Sequence, residues 1–221
     1  MAGQELTFGE HEFIVSKTDT SGKIVYGNEL FIRMSGYTEQ ELLGKPHNIL
    51  RHPDMPATVY KYLWETIRKK EEVFAYVVNR TKNGDYYWVM AHVTASLDEN
   101  GAIIGYHSVR RKPSAQAIAM IRPLYRSLLE AERKGGVSAG EVLLKSTLQQ
   151  HKVSYDEFVL SLNSSISTSS RSPFSPSRSS LRSLRWDSTG YGFLIFSILP
   201  SPGQYSSTSV RFSPRSIPSP M

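Results

Sequence analysis

The chain has 221 residues, with 26 Lys and Arg against 20 Asp and Glu, 39% hydrophobic residues and no cysteine. That length suits one domain of about 100–150 residues plus a substantial extension, and the lack of cysteine excludes disulfides, thiolate metal sites and cysteine nucleophiles. The longest apolar run, 193–199, is too short for a membrane helix and the N-terminus does not resemble a secretory signal, so we expect a cytoplasmic chain without a membrane span.

The N-terminal part of the chain predicts a β-hairpin followed by a helix. Strand-forming residues at 13–15 and 24–26 flank the segment 19–23, which is rich in turn formers. Apolar residues then recur at helical spacing over 28–34. Gly36 follows directly and predicts the end of that helix.

Two further helices are predicted before the next strands. Thr38 and Glu41 match a capping box, which predicts a short helix that stops before Pro46. After Pro56 an amphipathic pattern predicts a longer helix. Its apolar side carries Val59, Tyr62, Leu63 and Ile67.

Three consecutive strands complete this part of the chain. Strand formers dominate 73–80, 85–97 and 102–111, and the segments 82–85 and 98–101 supply turns between them. With the N-terminal pair, the order is two strands, helices and three strands. The pattern predicts an α+β fold with a five-stranded antiparallel sheet and short helices on one side.

The next segment, 113–163, predicts linker helices. Its first helix should extend over 115–134, with Pro123 kinking or dividing it and Gly135–Gly136 ending it. Two more capping boxes follow, Ser138 with Glu141 and Ser154 with Glu157. These helices are too few to build a core, so we expect them to dock on the sheet or on a partner.

The tail, 164–221, differs sharply in composition from the rest of the chain. It holds 20 Ser, 7 Pro and 6 Arg, with one Asp and no Lys, Glu or Ala. Such a composition predicts disorder, because it buries too little apolar surface to offset the entropy of ordering. Two other interpretations stay open. In the first, the six dispersed arginines bind nucleic acid or anionic lipid through phosphate contacts. In the second, the tail is translated from a shifted reading frame.

Motifs for catalysis and metal binding are absent from the sequence. It lacks a Gly-x-Ser-x-Gly elbow, a phosphate-binding loop, a His-Glu-x-x-His pair and a Rossmann fingerprint. We therefore predict that the chain is not an enzyme, with no catalytic residues and no metal ligands.

Four segments carry a resemblance to a known family. They are MSGYT at 34–38, ELLGKP at 41–46, NILRHPDMP at 48–56 and NRTKNGDYYWV at 79–89. Together they resemble a PAS sensory domain, and more narrowly the PAS domain of bacterial aerotaxis (energy-taxis) receptors. The resemblance extends over roughly 8–126 and implies a PAS sensor domain over 8–112.

The resemblance also implies a cofactor and a role. In these receptors FAD binds non-covalently between sheet and helices, and its redox state reports respiratory electron flow. The implied function is a sensor of redox, oxygen or energy state in chemotaxis, with a chemotaxis receptor or signalling protein as partner, a homodimer as a further option and no nucleic acid. The matching cofactor-binding positions are Asn28, Arg51, His52, Asp54 and Trp64.

These residues suit such a ligand, and each also has a structural interpretation. Arg51 and His52 would neutralise a pyrophosphate or a reduced flavin, Asp54 would bond a ribose or ring N–H, and Trp64 would stack on the ring. Equally, Asp54 is a candidate helix N-cap, His52 a turn residue and Trp64 a core residue. Val73 stands where the family commonly has a tryptophan near the flavin.

Two alternatives to a flavin sensor follow from the same residues. A cofactor-free PAS domain would be a protein–protein interaction module with a packed cleft. Haem would need an axial ligand, for which His92 and His107 on the predicted sheet are the candidates. A flavin–cysteinyl photoadduct is excluded because the chain has no cysteine.

Overall fold

A five-stranded antiparallel sheet forms the centre of the structure. The computed structural model describes residues 3–164, so the predictions for the tail, 164–221, lie outside the described residues apart from the backbone of Ser164. The strands are β1 (Ile14–Thr18), β2 (Ile24–Gly27), β3 (Val73–Arg80), β4 (Tyr86–Leu97) and β5 (Ile103–Arg111), and their order in the sheet is β2-β1-β5-β4-β3. The predicted α+β fold is confirmed.

The predicted hairpin between β1 and β2 is built around one carboxylate. The backbone N–H groups of Ser21 and Lys23 both donate to Asp19 Oδ1 at 2.9 Å. Gly22 closes the turn with φ of 81°, a left-handed conformation that glycine adopts without strain. The turn brings Gly22 close to the helices that cover the sheet.

Three α-helices and one 3-10 helix separate β2 from β3. They are α1 (Glu29–Ser35), α2 (Glu39–Leu42), the 3-10 helix His47–Leu50 and α3 (Ala57–Ile67). The predicted capping box forms at α2, where Thr38 Oγ1 accepts from the N–H of Glu41 at 3.3 Å and Glu41 Oε2 accepts from the N–H of Thr38 at 3.0 Å. Gly36 ends α1 in the left-handed conformation, as predicted.

Helix α3 packs on the sheet but does not have the predicted cap. Its N-cap position is Pro56, which makes no side-chain hydrogen bond, so the interpretation of Asp54 as an N-cap is wrong. On its apolar side Val59, Leu63 and Ile67 are buried against the sheet. Tyr62 is only half-buried and its ring lies 4.6 Å from that of Tyr155.

The linker segment forms two helices, α4 (Ala115–His151) and α5 (Tyr155–Ser164). Helix α4 runs through Pro123 without dividing there, because residues on both sides of the proline pack against the rest of the protein: Ala117, Ile121, Tyr125 and Leu128 are buried. The backbone leaves helical geometry at Gly135 and Gly136, so the predicted break at the glycine pair is confirmed as a kink.

The two capping boxes predicted in the linker have different outcomes. Ser154 and Glu157 exchange the expected hydrogen bonds at 2.8 and 3.2 Å. The box predicted at Ser138 and Glu141 is wrong, because α4 continues through Ser138 and the Glu141 carboxylate instead binds Lys61 Nζ at 2.7 Å.

Helices cover both faces of the sheet and its β3 edge. On one face α3 lies over Val77 and Ala91, and on the other Tyr125 of α4 stacks on Trp88 at 6.2 Å between ring centroids. At the β3 edge Asp156 Oδ1 of α5 accepts from the N–H of Phe74 at 2.9 Å. Covering an edge strand in this way prevents pairing with other strands. Within residues 3–164 no helix is both long and apolar enough to span a membrane.

Candidate functional site

A cavity of about 330 Å³ lies between the sheet and α3. This volume falls at the lower end of the range of about 300–1,000 Å³ typical of ligand pockets. The cavity is lined from the sheet by β1, β3, β4 and β5, and from the other side by the 3-10 helix and α3. Its lining residues include Ser16, Gly22, His47, Arg51, Tyr60, Leu63, Trp64, Ile67, Val77, Asn79, Ala91, Val93, Tyr106, His107, Ser108 and Arg110.

A buried positive charge stands in the wall of this cavity. Arg110 on β5 is 5% exposed, and its Nη2 donates to Ser16 Oγ at 2.9 Å and lies 2.8 Å from His47 Nε2. Its Nη1 has no hydrogen-bond partner, and no ion pair among residues 3–164 includes it. Burial lowers the pKa of Arg110, but a guanidinium stays protonated in proteins. The site therefore holds a cation with unused donor capacity.

His47 is held neutral beside this arginine. A guanidinium carries only donors, so His47 Nε2 must be the acceptor and the proton must sit on Nδ1. Burial of the ring, and then the charge of Arg110, lower the pKa of His47 to about 3. The ring of Phe31 stacks on the His47 ring with 5.8 Å between centroids, and the Arg110 guanidinium lies 5.6 Å from the centroid of the same Phe31 ring.

The remaining wall of the cavity is mostly apolar and aromatic. Trp64 meets Tyr106 edge to face at 5.2 Å between ring centroids. A Cβ on Gly22 would lie 3.2 Å from the Trp64 ring, so the glycine allows the turn to approach the tryptophan closely. Aliphatic side chains continue this wall, namely Leu63 and Ile67 of α3, Val77 of β3, and Ala91 and Val93 of β4.

Further polar groups line the cavity. The Arg51 guanidinium lies 4.8 Å from the centroid of the Tyr60 ring, and Arg51 itself is exposed. Burial raises the pKa of Tyr60 to about 12, so its hydroxyl remains protonated at neutral pH. Ser108 is buried and its Oγ has no hydrogen-bond partner in the part of the chain that the structure describes. Buried polar groups without partners are uncommon in proteins and call for an explanation such as a ligand.

Of the five predicted cofactor-binding residues, the structure brings Arg51 and Trp64 to the cavity. Asn28 caps α1 and ties it to β1, because its Oδ1 accepts from the N–H groups of Phe31 and Val15, both at 3.0 Å. The buried His52 accepts from the N–H of Asp54 through Nδ1 at 3.0 Å. Asp54 lines a different cavity on the opposite face of the sheet.

The two candidate haem ligands lie on neighbouring strands, on the face of the sheet opposite the cavity. His92 stacks on Phe74 with 4.4 Å between ring centroids, and its Nε2 lies 2.7 Å from Glu72 Oε2. His107 borders the cavity, but strand alternation places its side chain on the face opposite Ser108 and Arg110, where burial and then the charge of Lys17 lower its pKa. No group of three or more His, Asp and Glu side chains suited to a metal ion occurs within residues 3–164.

Sequence reasoning missed the residues that give the cavity its polarity, namely Arg110, His47 and Ser108. In the sequence Arg110 belongs to a basic strand end shared with Arg111 and Lys112. Alternation along β5 places Arg110 inside and leaves Arg111 exposed. Knowledge of the register of β5 would have distinguished the buried Arg110 from the exposed Arg111 in the sequence.

Comparison with known proteins relates the sheet and its helices to a described fold. Residues 24–110 match the family model described as PAS fold. The chain is 39% identical over 145 residues to the aerotaxis receptor of Escherichia coli (strain K12), covering 66% of this chain and 28% of the receptor. It is 27% identical over 97 residues to the nitrogen fixation regulatory protein of Klebsiella oxytoca, covering 44% and 20%. The chain thus spans less than a third of the length of these curated relatives.

Solved structures of similar fold include light-sensing domains. The dark structure of the blue-light photoreceptor Aureochrome1 LOV is 23% identical, covers 55% of this chain and 84% of its own, and has a TM-score of 0.44. The LOV domain from the Erythrobacter litoralis EL346 blue-light activated histidine kinase is 20% identical, with coverages of 44% and 93% and a TM-score of 0.41. The family match over 24–110 and the five-stranded sheet with its flanking helices show that this part of the chain is a PAS domain.

Proposed function

We propose that the chain is a redox sensor whose PAS domain binds FAD non-covalently in the cavity between the sheet and α3. The observation that carries this proposal is Arg110, a buried cation with an unpartnered donor in a cavity whose walls are mostly apolar and aromatic. The similarity to the aerotaxis receptor supports a role in reporting redox, oxygen or energy state to chemotaxis signalling in the cytoplasm.

The residues of the cavity fit a flavin. A planar heteroaromatic ring needs apolar walls for its faces and hydrogen-bond donors for its carbonyl and nitrogen edge. Trp64 and Tyr106 offer aromatic surface, and Val77 and Ala91 offer a flat aliphatic floor. Arg110 and the unpartnered Ser108 hydroxyl supply donors on the same strand face. Val73 is fully buried and is not part of the lining, so it gives the cavity no aromatic surface.

The predicted residues divide into two roles in this proposal. Arg51 and Trp64 are the proposed direct contacts, because they line the cavity. Asn28, His52 and Asp54 would act on the cofactor through the backbone that they hold. Asn28 does so where α1 meets β1, and His52 and Asp54 do so in the loop that enters α3.

Arg110 would set the electrostatics of the sensor. A bound flavin supplies reversible electron uptake, which changes the charge and protonation of its ring. A fixed guanidinium in a low-dielectric cavity favours a negative charge on its ligand, and His47 cannot compete for that role because it stays neutral. The same residues therefore discriminate between ligand charge states.

The output would pass to a chemotaxis receptor or another signalling protein, or to a second copy of this chain. Helix α3 lines the cavity and also binds α4 through Lys61 and Glu141. A ligand-dependent shift of α3 would therefore reach the linker helices directly. No catalytic step is required for this function.

A visible absorption spectrum of the purified full chain tests the proposal. We expect a stoichiometric flavin spectrum that bleaches reversibly on anaerobic reduction, with FAD released by heat. A colourless, folded protein that fails to take up added FAD would instead support the cofactor-free interaction module.

Substitution of neighbouring arginines tests the role of Arg110. Arg110→Gln should weaken FAD binding by about tenfold or more, because a charge-assisted hydrogen bond is lost. Arg111→Gln is the matched control, since Arg111 is the next residue on β5 and is exposed. Ser108→Ala provides a milder second variant if Arg110→Gln is poorly folded by circular dichroism. Equal FAD affinity in all three variants would place the flavin elsewhere.

A further inference from the structure

A second cavity, of about 590 Å³, lies on the opposite face of the sheet, between β4 and α4. It shares no lining residue with the candidate flavin site. The loop before α3 contributes Asp54, β4 contributes Tyr86 and Trp88, and α4 contributes Arg122, Tyr125, Arg126, Leu129, Glu130 and Arg133.

Two buried N–H donors of this cavity's lining residues have no acceptor within residues 3–164. Trp88 is 4% exposed and its Nε1 has no hydrogen-bond partner there. Arg122 lies with its guanidinium 5.6 Å from the centroid of the Trp88 ring, and its Nε is likewise buried without a partner. Both groups donate only, so a molecule that satisfies them must bring acceptors.

The charge of the lining favours an anion. Three guanidinium groups, those of Arg122, Arg126 and Arg133, stand against two carboxylates. One of these carboxylates, Glu130, is already paired with Lys134 at 2.8 Å. Glu5 lies 3.8 Å from Arg122 Nη2, which leaves the Nε of Arg122 unoccupied. Guanidinium groups bind phosphate and carboxylate oxygens with two parallel hydrogen bonds where geometry allows.

We infer that this cavity is a binding site for a small oxyanion, a phosphate or a carboxylate carried by a small molecule. The anion would accept from Trp88 and Arg122, with Arg126 and Arg133 completing its charge balance. The site is independent of the cofactor in the first cavity. It joins the sheet to α4, so binding would hold the first half of the linker helix on the sheet.

The indole N–H of Trp88 gives a direct readout of binding. The chain has three tryptophans, and in a ¹H–¹⁵N correlation spectrum of the full chain each indole N–H gives its own resonance. Trp88→Phe identifies the resonance of Trp88, and Trp64, which lines the first cavity, is an internal control. Inorganic phosphate and succinate, titrated separately against sodium chloride of equal ionic strength, distinguish the two oxyanions.

We expect a saturable shift of the Trp88 indole resonance at millimolar concentrations of one of these anions, with Trp64 unchanged. Arg122→Gln should weaken the apparent affinity by about tenfold or more. Arg33→Gln is the matched control and should bind normally, because Arg33 is an exposed arginine paired with Glu12 elsewhere on the surface. If Arg122→Gln loses spectral dispersion, the exposed Arg126→Gln replaces it.

Three outcomes would overturn the inference. The first is a Trp88 resonance that does not move with either anion. The second is a shift that sodium chloride reproduces at equal ionic strength, which would indicate general screening. The third is a saturable shift that persists unchanged in both Arg122→Gln and Arg126→Gln.

Discussion

Arg110 and His47 place a charged donor and a neutral acceptor in contact within the cavity wall. The imidazole must stay unprotonated, because a proton on Nε2 would face the guanidinium at 2.8 Å. The strength of this hydrogen bond therefore depends on pH, although neither residue is bound to a carboxylate among residues 3–164. The polarity of the site and part of its stability thus come from the same contact.

Stability should fall in acid because of His47. Its pKa is about 3 in the folded protein against 6.5 for an ordinary histidine, so the unfolded chain binds more protons between these values. The contribution is complete above pH 6.5 and is lost progressively as the pH falls toward 3. His47→Gln, which retains an acceptor for Arg110, should make the free energy of unfolding less dependent on pH. Urea denaturation at pH 7.5 and pH 5 measures this difference.

His11→Gln is the control for this experiment, since His11 is an exposed histidine near the N-terminus. His52 and His107 also have lowered pKa values, mainly through burial, so His47→Gln should reduce the pH dependence without abolishing it. An identical pH dependence in wild type, His47→Gln and His11→Gln would contradict the proposed role of the Arg110–His47 contact.

The residues of the site were predictable to different degrees. Arg51 and Trp64 fall within the region 8–126 whose resemblance to a family points to a cofactor, and both line the cavity. Asn28 and Asp54 fall within the same region, but their positions depend on local turns that sequence patterns do not resolve. Arg110 is found only by register, because a slip of one residue would exchange it with Arg111.

At the scale of elements, α3 begins without a cap of its own and takes one from α4. Pro56 offers no side-chain acceptor, which leaves the first N–H groups of the helix unsatisfied. Glu132 supplies both acceptors, at 3.1 Å to the N–H of Ala57 and 2.8 Å to that of Thr58. It also accepts from Thr58 Oγ1 at 2.7 Å. A carboxylate at a helix N-terminus also interacts favourably with the helix dipole.

Removal of this carboxylate should destabilise the fold. Glu132→Ala leaves two N–H groups without acceptors and leaves the Thr58 hydroxyl only the longer contact to Val137 O at 3.5 Å, so we expect the free energy of unfolding to fall by about 1–2 kcal/mol, as for loss of a conventional cap. Glu130→Ala is the matched control in the same turn of α4, because its carboxylate forms an exposed ion pair with Lys134 within its own helix. Urea denaturation of both variants and of the wild type measures the change in the free energy of unfolding. Equal stability of the two would show that α3 does not depend on Glu132.

Local patterns predicted caps well only where both partners are close in sequence. Thr38 with Glu41 and Ser154 with Glu157 form as predicted, because Thr38 and Ser154 each stand directly before the first residue of a helix, whereas Ser138 lies inside α4. Glu141 fits the same pattern and yet binds Lys61, which lies 80 residues away. The cap of α3 from Glu132 spans a similar separation, so no local rule could have found it.

Across the whole molecule, α3 connects the cavity to both halves of α4. Its inner side lines the cavity with Leu63 and Trp64. Its N-terminus is held by Glu132, before the Gly135–Gly136 kink, and Lys61 is held by Glu141, after it. A movement of α3 must therefore strain or bend the kink. Gly136 has φ of 70° and ψ of −172°, a conformation open essentially to glycine alone, which fixes the bend at this point.

Gly140 of α4 lies against Thr58 of α3, and substitutions at these two positions test whether the second half of α4 packs closely on α3. A Cβ on residue 140 would lie 2.1 Å from Thr58 Oγ1, so Gly140→Ala should push the helices apart and lower the free energy of unfolding by about 1–3 kcal/mol. Thr58→Ala removes the clashing oxygen, and Gly140→Ala should then cost measurably less in a double-mutant cycle. Ser138→Ala, an exposed change in the same helix, should be neutral. Additive costs for Gly140→Ala and Thr58→Ala would mean that the two helices do not meet here, and the route from cavity to kink would then rest on the polar contacts of Glu132 and Glu141.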